Sequence, residues 1–166
     1  MLRNATTTSS IRNFSLLLTL LLLSLFLQAC VGNPNCYESK EVLVYCGFYS
    51  SETGKAGSIE KVSVRGLGSD SLIYNDKTLS KLALPLRSDA QESVFIIEIE
   101  QSSIVFRDSL SLSHTNNEWF ISMECGCIVL HTLLDARPGG ASFIDSVCIV
   151  NPEIKNAVTE HVKIYL

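Results

Sequence analysis

Short segments in which apolar and polar residues alternate recur through most of the chain. The clearest are Lys61–Arg65, with Val62 and Val64 on one side, and Ser109–Ser113, while Val94–Ile99 has the strongest pattern of a buried strand. A period of two places one side of a strand in a core and the other in water. Gly, Pro and Asn separate these segments, and no stretch has a convincing helical period. The pattern predicts an all-β fold, a single antiparallel β-sandwich of immunoglobulin-like kind.

The same alternation predicts which residues form the core. The expected members are apolar residues on the inner sides of the strands: Val62, Val64, Leu82, Leu84, Phe95, Ile97, Ile104, Phe106 and Trp119. Asn116–Asn117 is expected to form a turn between two strands, and His161 to lie at the surface. Glu98 and Glu100 alternate with isoleucines, which favours a solvated face over an acid/base pair.

The N-terminal segment has the pattern of an export signal. Arg3 and Arg12 lie in a region without acidic residues, and Phe14–Leu27 is then a leucine-rich apolar run. A basic region followed by such a run is typical of a secretory signal. The run is shorter than the roughly 20 residues that a membrane-spanning helix needs.

The end of this run resembles a bacterial lipobox. Leu27–Cys30 places a small residue before a cysteine that would be acylated and become the mature N-terminus; the alternative is ordinary cleavage near Ala29. We therefore expect a lipoprotein signal peptide at 1–29, a lipidated tether at 30–36 and a β-sandwich domain at 37–166. The residue directly after Cys30 is not Asp, which by bacterial sorting rules predicts an outer-membrane location, facing the periplasm. The lipid bilayer would then be a partner through acylated Cys30.

The charge of the mature chain excludes one class of partner. Removal of Arg3 and Arg12 leaves 11 of the 13 basic residues against 17 acidic ones, a net charge of −6. Such a chain lacks the basic footprint that nucleic acids require. Acidity also disfavours electrostatic binding to anionic lipid, so the acyl chains would carry the membrane attachment.

The cysteines allow two kinds of site. Five remain after Cys30, namely Cys36, Cys46, Cys125, Cys127 and Cys148. In an oxidising compartment they favour a disulfide, and Cys36, which follows the tether, could reach either Cys125 or Cys127. The alternative is a metal site of Cys125, Cys127 and His131, which would share one strand face, although the usual spacing of a zinc knuckle is absent.

Signatures of catalysis are missing from the sequence. There is no G-x-S-x-G motif, no Cys-x-x-Cys motif, and the Gly66-x-Gly68 pair precedes no helix. We expect no enzymatic activity and no cofactor. Five aromatic residues could build a glycan-binding platform on one face instead: Tyr45, Tyr49, Tyr74, Trp119 and Phe120.

Three stretches of the mature chain resemble a family of small uncharacterised bacterial lipoproteins, domain of unknown function family 6452. They are Gly66–Tyr74, His114–Cys127 and Ile144–Ile154. The resemblance implies a Cys36–Cys125 disulfide, with Cys127 as second choice. It also implies a protein partner in the outer membrane, because members are often encoded beside a predicted outer-membrane protein. The resulting hypothesis is a non-catalytic interaction or assembly module; the alternative is a lipoprotein that binds a glycan or a metal.

Overall fold

Most of the described strands form where apolar and polar residues alternate in the sequence. The computed structural model describes residues 36–140 and 143–166, so the predicted signal peptide, Cys30 and all of the predicted tether before Cys36 lie outside the described residues. The described strands are β1 Leu43–Tyr49, β2 Ile59–Gly66, β3 Leu72–Leu79, β4 Lys81–Pro85, β5 Glu92–Gln101, β6 Ile104–Ser122, β7 Gly126–Pro138, β8 Ser146–Ile149, β9 Glu153–Ile154 and β10 Glu160–Tyr165.

These strands form two sheets. One has four strands in the order β4-β1-β10-β8, and the other has six in the order β3-β2-β5-β6-β7-β9. Every pair is antiparallel except β1 with β10, which run parallel. The prediction of a wholly antiparallel arrangement is therefore wrong at this pair. Parallel neighbours need a crossover connection, and here all the intervening strands supply it.

The core lies between the two sheets. Its members come from both layers: Val44, Cys46, Phe48, Val62, Val64, Leu82, Leu84, Leu86, Phe95, Ile97, Ile99, Leu110, Leu112, Leu133, Ile144, Ile154, Val162 and Ile164. Inward residues alternate with outward ones along β2, β4, β5 and the middle of β6. The prediction of an all-β domain with two packed, mainly antiparallel layers is confirmed.

Three of the nine predicted core residues are exposed. Ile104 and Trp119 are both 59% exposed and Phe106 is 37% exposed. All three lie towards the ends of β6, which has 19 residues, whereas the longest strand of the facing four-stranded sheet has seven. The ends of β6 therefore lack a second layer, and alternation alone does not bury them. The other six predicted residues are confirmed as buried.

The predicted break at Asn116–Asn117 is also wrong. β6 continues through both residues to Ser122, and the chain reverses direction only between Ser122 and Gly126. Cross-strand hydrogen bonds with β7 outweigh the turn preference of asparagine here.

His161 is buried, contrary to its predicted surface position. Tyr45 pairs with Glu160 and Cys46 with Val162, so His161 is the extra residue of a bulge in β10. Its Nδ1 accepts a hydrogen bond from the Tyr45 backbone N–H at 3.1 Å, and the two rings stack. The imidazole thus replaces the carbonyl that the bulge removes from the ladder.

Candidate functional site

The β6–β7 hairpin extends well beyond the rest of the six-stranded sheet. Pairing with β5 ends at Ser113, and from there β6 continues for nine residues with β7 as its neighbour in the described structure. Nine residues of strand span about 30 Å. We call its outer part, residues 117–130, the hairpin tip. Such a two-stranded ribbon is marginally stable alone.

Large apolar side chains are exposed on the hairpin tip. Trp119 is 59% exposed, Phe120 56% and Met123 85%. Trp119 is paired with Ile128 and Phe120 with Cys127, so the two aromatic rings lie on opposite faces of the ribbon. Trp119 is also the single tryptophan of the chain. Large apolar side chains exposed together at one end of a domain are typical of interaction surfaces.

A disulfide joins Cys36 to Cys125 in the turn of the hairpin, which confirms the predicted pairing. Gly126 follows with a positive φ of 75°, and the Cys125 N–H donates to Ser122 Oγ at 3.1 Å. The bond ties the segment that precedes β1 to the far end of the hairpin. It leaves Cys127 as an exposed thiol next to the bonded pair.

A cleft of about 480 Å³ lies beside the hairpin tip. Its lining combines apolar residues of the ribbon with polar residues from two other segments: Glu38, Trp119, Phe120, Ile121, Ile128, Leu130, Lys155 and Asn156. Asn156 Nδ2 donates to the Ser39 carbonyl at 3.0 Å, which holds these two segments together. The ammonium of Lys155 is paired with Glu153 at 2.7 Å.

Two histidines and an asparagine form a buried network at the base of the hairpin tip. Asn116 Oδ1 lies 2.8 Å from Nδ1 of both His114 and His131, and the two rings meet edge to face. Asn116 Nδ2 donates to the carbonyls of the loop between β4 and β5, at Arg87, Ser88 and Ala90. One amide group thus connects both strands of the hairpin to this loop.

The network determines the tautomers of the two rings. An amide oxygen only accepts, so both Nδ1 atoms carry the proton, and His114 Nε2 accepts from the Ser93 hydroxyl at 3.0 Å. Burial lowers the pKa of His114, and burial together with the neighbouring His114 lowers the pKa of His131 to about 4. Both rings are therefore neutral near pH 7.

Ser93, His114 and Asn116 follow the hydroxyl–imidazole–amide order that some hydrolases use. Ser93 is 1% exposed and His114 fully buried, and Ser93 Oγ already accepts the Arg87 N–H at 2.9 Å. A nucleophile needs access to the substrate carbonyl, so this arrangement serves the fold. Sequence reasoning missed it because Ser93 lies on β5 and the other two residues lie on β6, and the register of this pair is not visible in the sequence.

The structure does not bring Cys125, Cys127 and His131 together as the predicted metal site. Cys125 is in a disulfide, so its sulfur is not a thiolate ligand. Cys127 is exposed and His131 buried, and four residues of strand separate them by about 13 Å. In the described part of the chain no three His, Cys, Asp or Glu side chains are close enough to hold a metal ion.

The five aromatic residues proposed for a glycan platform are dispersed. Tyr45 stacks on His161, and Tyr74 O–H bonds to the backbone of Ala83. Tyr49 donates to Glu160 at 3.0 Å. Trp119 and Phe120 are exposed, whereas the three tyrosines are half-buried.

A second apolar cleft, of about 420 Å³, lies where β2 turns into β3. We call it the turn cleft; Leu67, Leu72 and Ile73 are its exposed apolar residues, and Phe95 lies beneath them. Leu67 N–H donates to the Val94 carbonyl at 2.8 Å, near the start of β5. The start of β5 pairs with β6 next to the projecting hairpin, so the turn cleft lies at the end of the six-stranded sheet from which the hairpin projects.

The fold and these surfaces define a two-layer all-β domain with a projecting, disulfide-tied hairpin. The model of a family of unknown function, DUF6452, matches residues 61–166, and the chain belongs to that family. No curated protein and no solved structure matches the chain. Within residues 36–140 and 143–166, no helix is long and apolar enough to cross a membrane.

Proposed function

We propose that the protein is a non-catalytic, lipid-anchored module that faces the periplasm from the outer membrane and binds an outer-membrane protein. In this proposal Cys30 is acylated after removal of the signal at 1–29. The two packed sheets form a β-sandwich of immunoglobulin-like kind. The supporting observation is the turn cleft, an exposed apolar surface at the end of the domain to which the tether is bonded.

The position of the turn cleft supports a partner in the membrane. Gly66, at the end of β2, pairs with Phe95, which pairs with Leu110 on the strand that leads to the hairpin tip. Cys36 is bonded to the tip, so a chain anchored at Cys30 has this end of the domain nearest the bilayer. Leu67 and Leu72, 64% and 47% exposed, then face the parts of a membrane protein that protrude from the bilayer.

The edge of the six-stranded sheet offers a second element for recognition. β3 is one of the two edge strands, and all its residues except Tyr74 and Leu79 are exposed. Unpaired backbone groups along such an edge can accept an added strand, and apolar residues beside it can supply specificity. We expect the partner segment to be extended and to place apolar side chains in the turn cleft.

Site-specific photo-crosslinking in intact cells tests this function. A photoreactive phenylalanine analogue at Leu72 should give an adduct with an outer-membrane protein on illumination. The matched control is the same analogue at Val105, an exposed residue at the opposite end of the domain, which should give none. Equal adducts at both positions, or none at Leu72, would contradict the proposal.

A further inference from the structure

The hairpin tip contains the kind of side chains that enter a membrane interface. Trp119, Phe120 and Met123 are exposed at the far end of the ribbon. Tryptophan is enriched where lipid headgroups meet acyl chains, because its ring is apolar and its N–H needs a polar partner. The core does not use these residues, since Leu110, Leu112 and Leu133 already fill the buried face at the base of the hairpin.

The disulfide determines how far the tip can be from a lipid anchor. Cys30 precedes Cys36 by six residues, which span at most about 20 Å when fully extended. Because Cys36 is bonded to Cys125 in the turn of the hairpin, acylation of Cys30 holds the tip within that distance of the bilayer. Without this bond the free tether would lengthen at least to Ser39, whose carbonyl accepts from Asn156, and the tip would be held less closely.

The charge of the hairpin tip favours a zwitterionic over an anionic lipid surface. Its charged side chains are two glutamates, Glu118 and Glu124, and the nearby Lys155 is paired with Glu153. Anionic lipids attract basic segments, so this tip has no electrostatic attraction to them. Apolar insertion into a zwitterionic surface remains as the source of binding.

We propose that the hairpin tip inserts Trp119, Phe120 and Met123 into the interface of the bilayer in which Cys30 is anchored. The inference rests on the lipid anchor of the proposed function. It gives the disulfide a role beyond stability, because the bond holds an apolar tip against the membrane. The orientation that results presents the turn cleft to a neighbouring membrane protein.

The fluorescence of Trp119 reports directly on this docking, since the chain has no other tryptophan. The acylated full-length protein is reconstituted into phosphatidylcholine vesicles, some of which contain lipids brominated near the top of the acyl chains. We expect a blue shift of Trp119 emission and loss of most of its intensity with the brominated lipid. Emission that keeps its solvent-exposed maximum and is not quenched would overturn the inference.

A transplanted tryptophan gives the matched control. In the double variant Trp119→Phe with Val105→Trp, the sole tryptophan lies at the other end of β6. Val105 is 58% exposed, nearly the same as Trp119 at 59%. Its emission should not be quenched in the same vesicles. Quenching at both positions would show that the domain lies flat on the membrane, which also overturns docking by the tip.

Flotation of the vesicles and the mass of the N-terminus separate this inference from the proposed function. If the acylated protein floats with the vesicles but Trp119 is not quenched, the lipid anchor is supported and docking by the tip is refuted. An unmodified Cys30 would instead refute the anchor, and quenching on addition of excess vesicles would then still report on the tip. If Trp119 became shielded only when a membrane protein was co-reconstituted, the tip would bind protein and not lipid.

The variant Cys36→Ser with Cys125→Ser tests the role of the disulfide in docking. It should still float through Cys30 while the quenching of Trp119 decreases. Circular dichroism that retains the β signal would show that the body is folded. Unchanged quenching in the folded variant would contradict the orienting role of the bond.

Discussion

The two halves of strand β6 pair with the same neighbour, β7, but have different surroundings. In the body half, Asp108–His114, every second residue is buried, whereas Asn117–Phe120 in the outer half are all exposed. The body half has β5 on its other side and the four-stranded sheet across the core; the outer half has neither. One continuous strand is therefore stabilised by burial at its base and by cross-strand pairing and a disulfide at its tip.

This difference assigns separate roles to the two halves. Burial makes the base rigid, because each inward side chain is surrounded by a packed core. The side chains of Asn117–Phe120 in the outer half are exposed, so they are available for a partner or a membrane. The network of Asn116 lies at the boundary and joins the two.

Removal of the disulfide should give the largest loss of stability. The Cys36–Cys125 bond closes a loop of about 90 residues, for which the chain-entropy model gives about 4 to 5 kcal/mol as an upper value. We expect Cys36→Ser with Cys125→Ser to lower the free energy of unfolding in urea by up to this amount. Cys127→Ser, which changes an exposed thiol two residues away, is the control and should change it by less than about 0.5 kcal/mol. Equal effects would show that the tip does not depend on the bond.

A cavity in the body half should have the next largest effect. Leu110 is fully buried, and Leu110→Ala should lower the free energy of unfolding by about 2 to 5 kcal/mol. Leu134→Ala, at a side chain 64% exposed, should cost under about 0.5 kcal/mol. Chemical denaturation of the two variants measures the contrast. A small loss for Leu110 would mean that the body half is not stabilised mainly by burial.

Loss of the Asn116 side chain should separate the hairpin from its supporting loop. Asn116→Ala leaves two imidazole N–H groups and loop carbonyls without their partner, at about 1 to 3 kcal/mol for each group that stays buried and unsatisfied. We expect a loss of about 2 kcal/mol or more in urea denaturation. Its exposed neighbour supplies the control, and Asn117→Ala should be almost neutral. Hydrogen exchange in the loop at 87–91 should become faster in the first variant alone.

The effect that is smallest at pH 7 is a dependence of stability on pH, which arises at the boundary between the halves. The pKa of His131 is about 4 in the folded chain and 6.5 for an ordinary histidine, so the unfolded chain binds more protons between these values. Stability from this group is therefore complete above about pH 6.5 and decreases as the pH falls towards 4. Urea midpoints measured from pH 7 to pH 4 should show this decrease. The variant His131→Gln should show a shallower decrease, and an unchanged slope would refute the assignment.

Several features of the fold could be predicted from the sequence because they depend on local patterns. The period of two in Lys61–Arg65 and Val94–Ile99 identified buried strands, and the glycines at 66 and 68 marked a turn. Glu98 could be assigned to a solvated face, where it lies beside Arg107 and Arg65. In each case the signal comes from residues that are neighbours in the chain.

Other features depend on what lies across a sheet or in the next layer. They are the exposure of the ends of β6, the burial of His161 and the hydrogen bonds of Asn116 to two histidines. A period of two states which residues share a face, but it does not state whether another layer covers that face. The choice of Cys125 as the partner of Cys36 likewise follows from which turn reaches the segment before β1. Sequence by itself determined most of the strands and which of their residues share a face. Tertiary structure alone decided which strands are neighbours, because pairing over long separations is set by the packing of the whole chain, and so it alone produced the projecting tip.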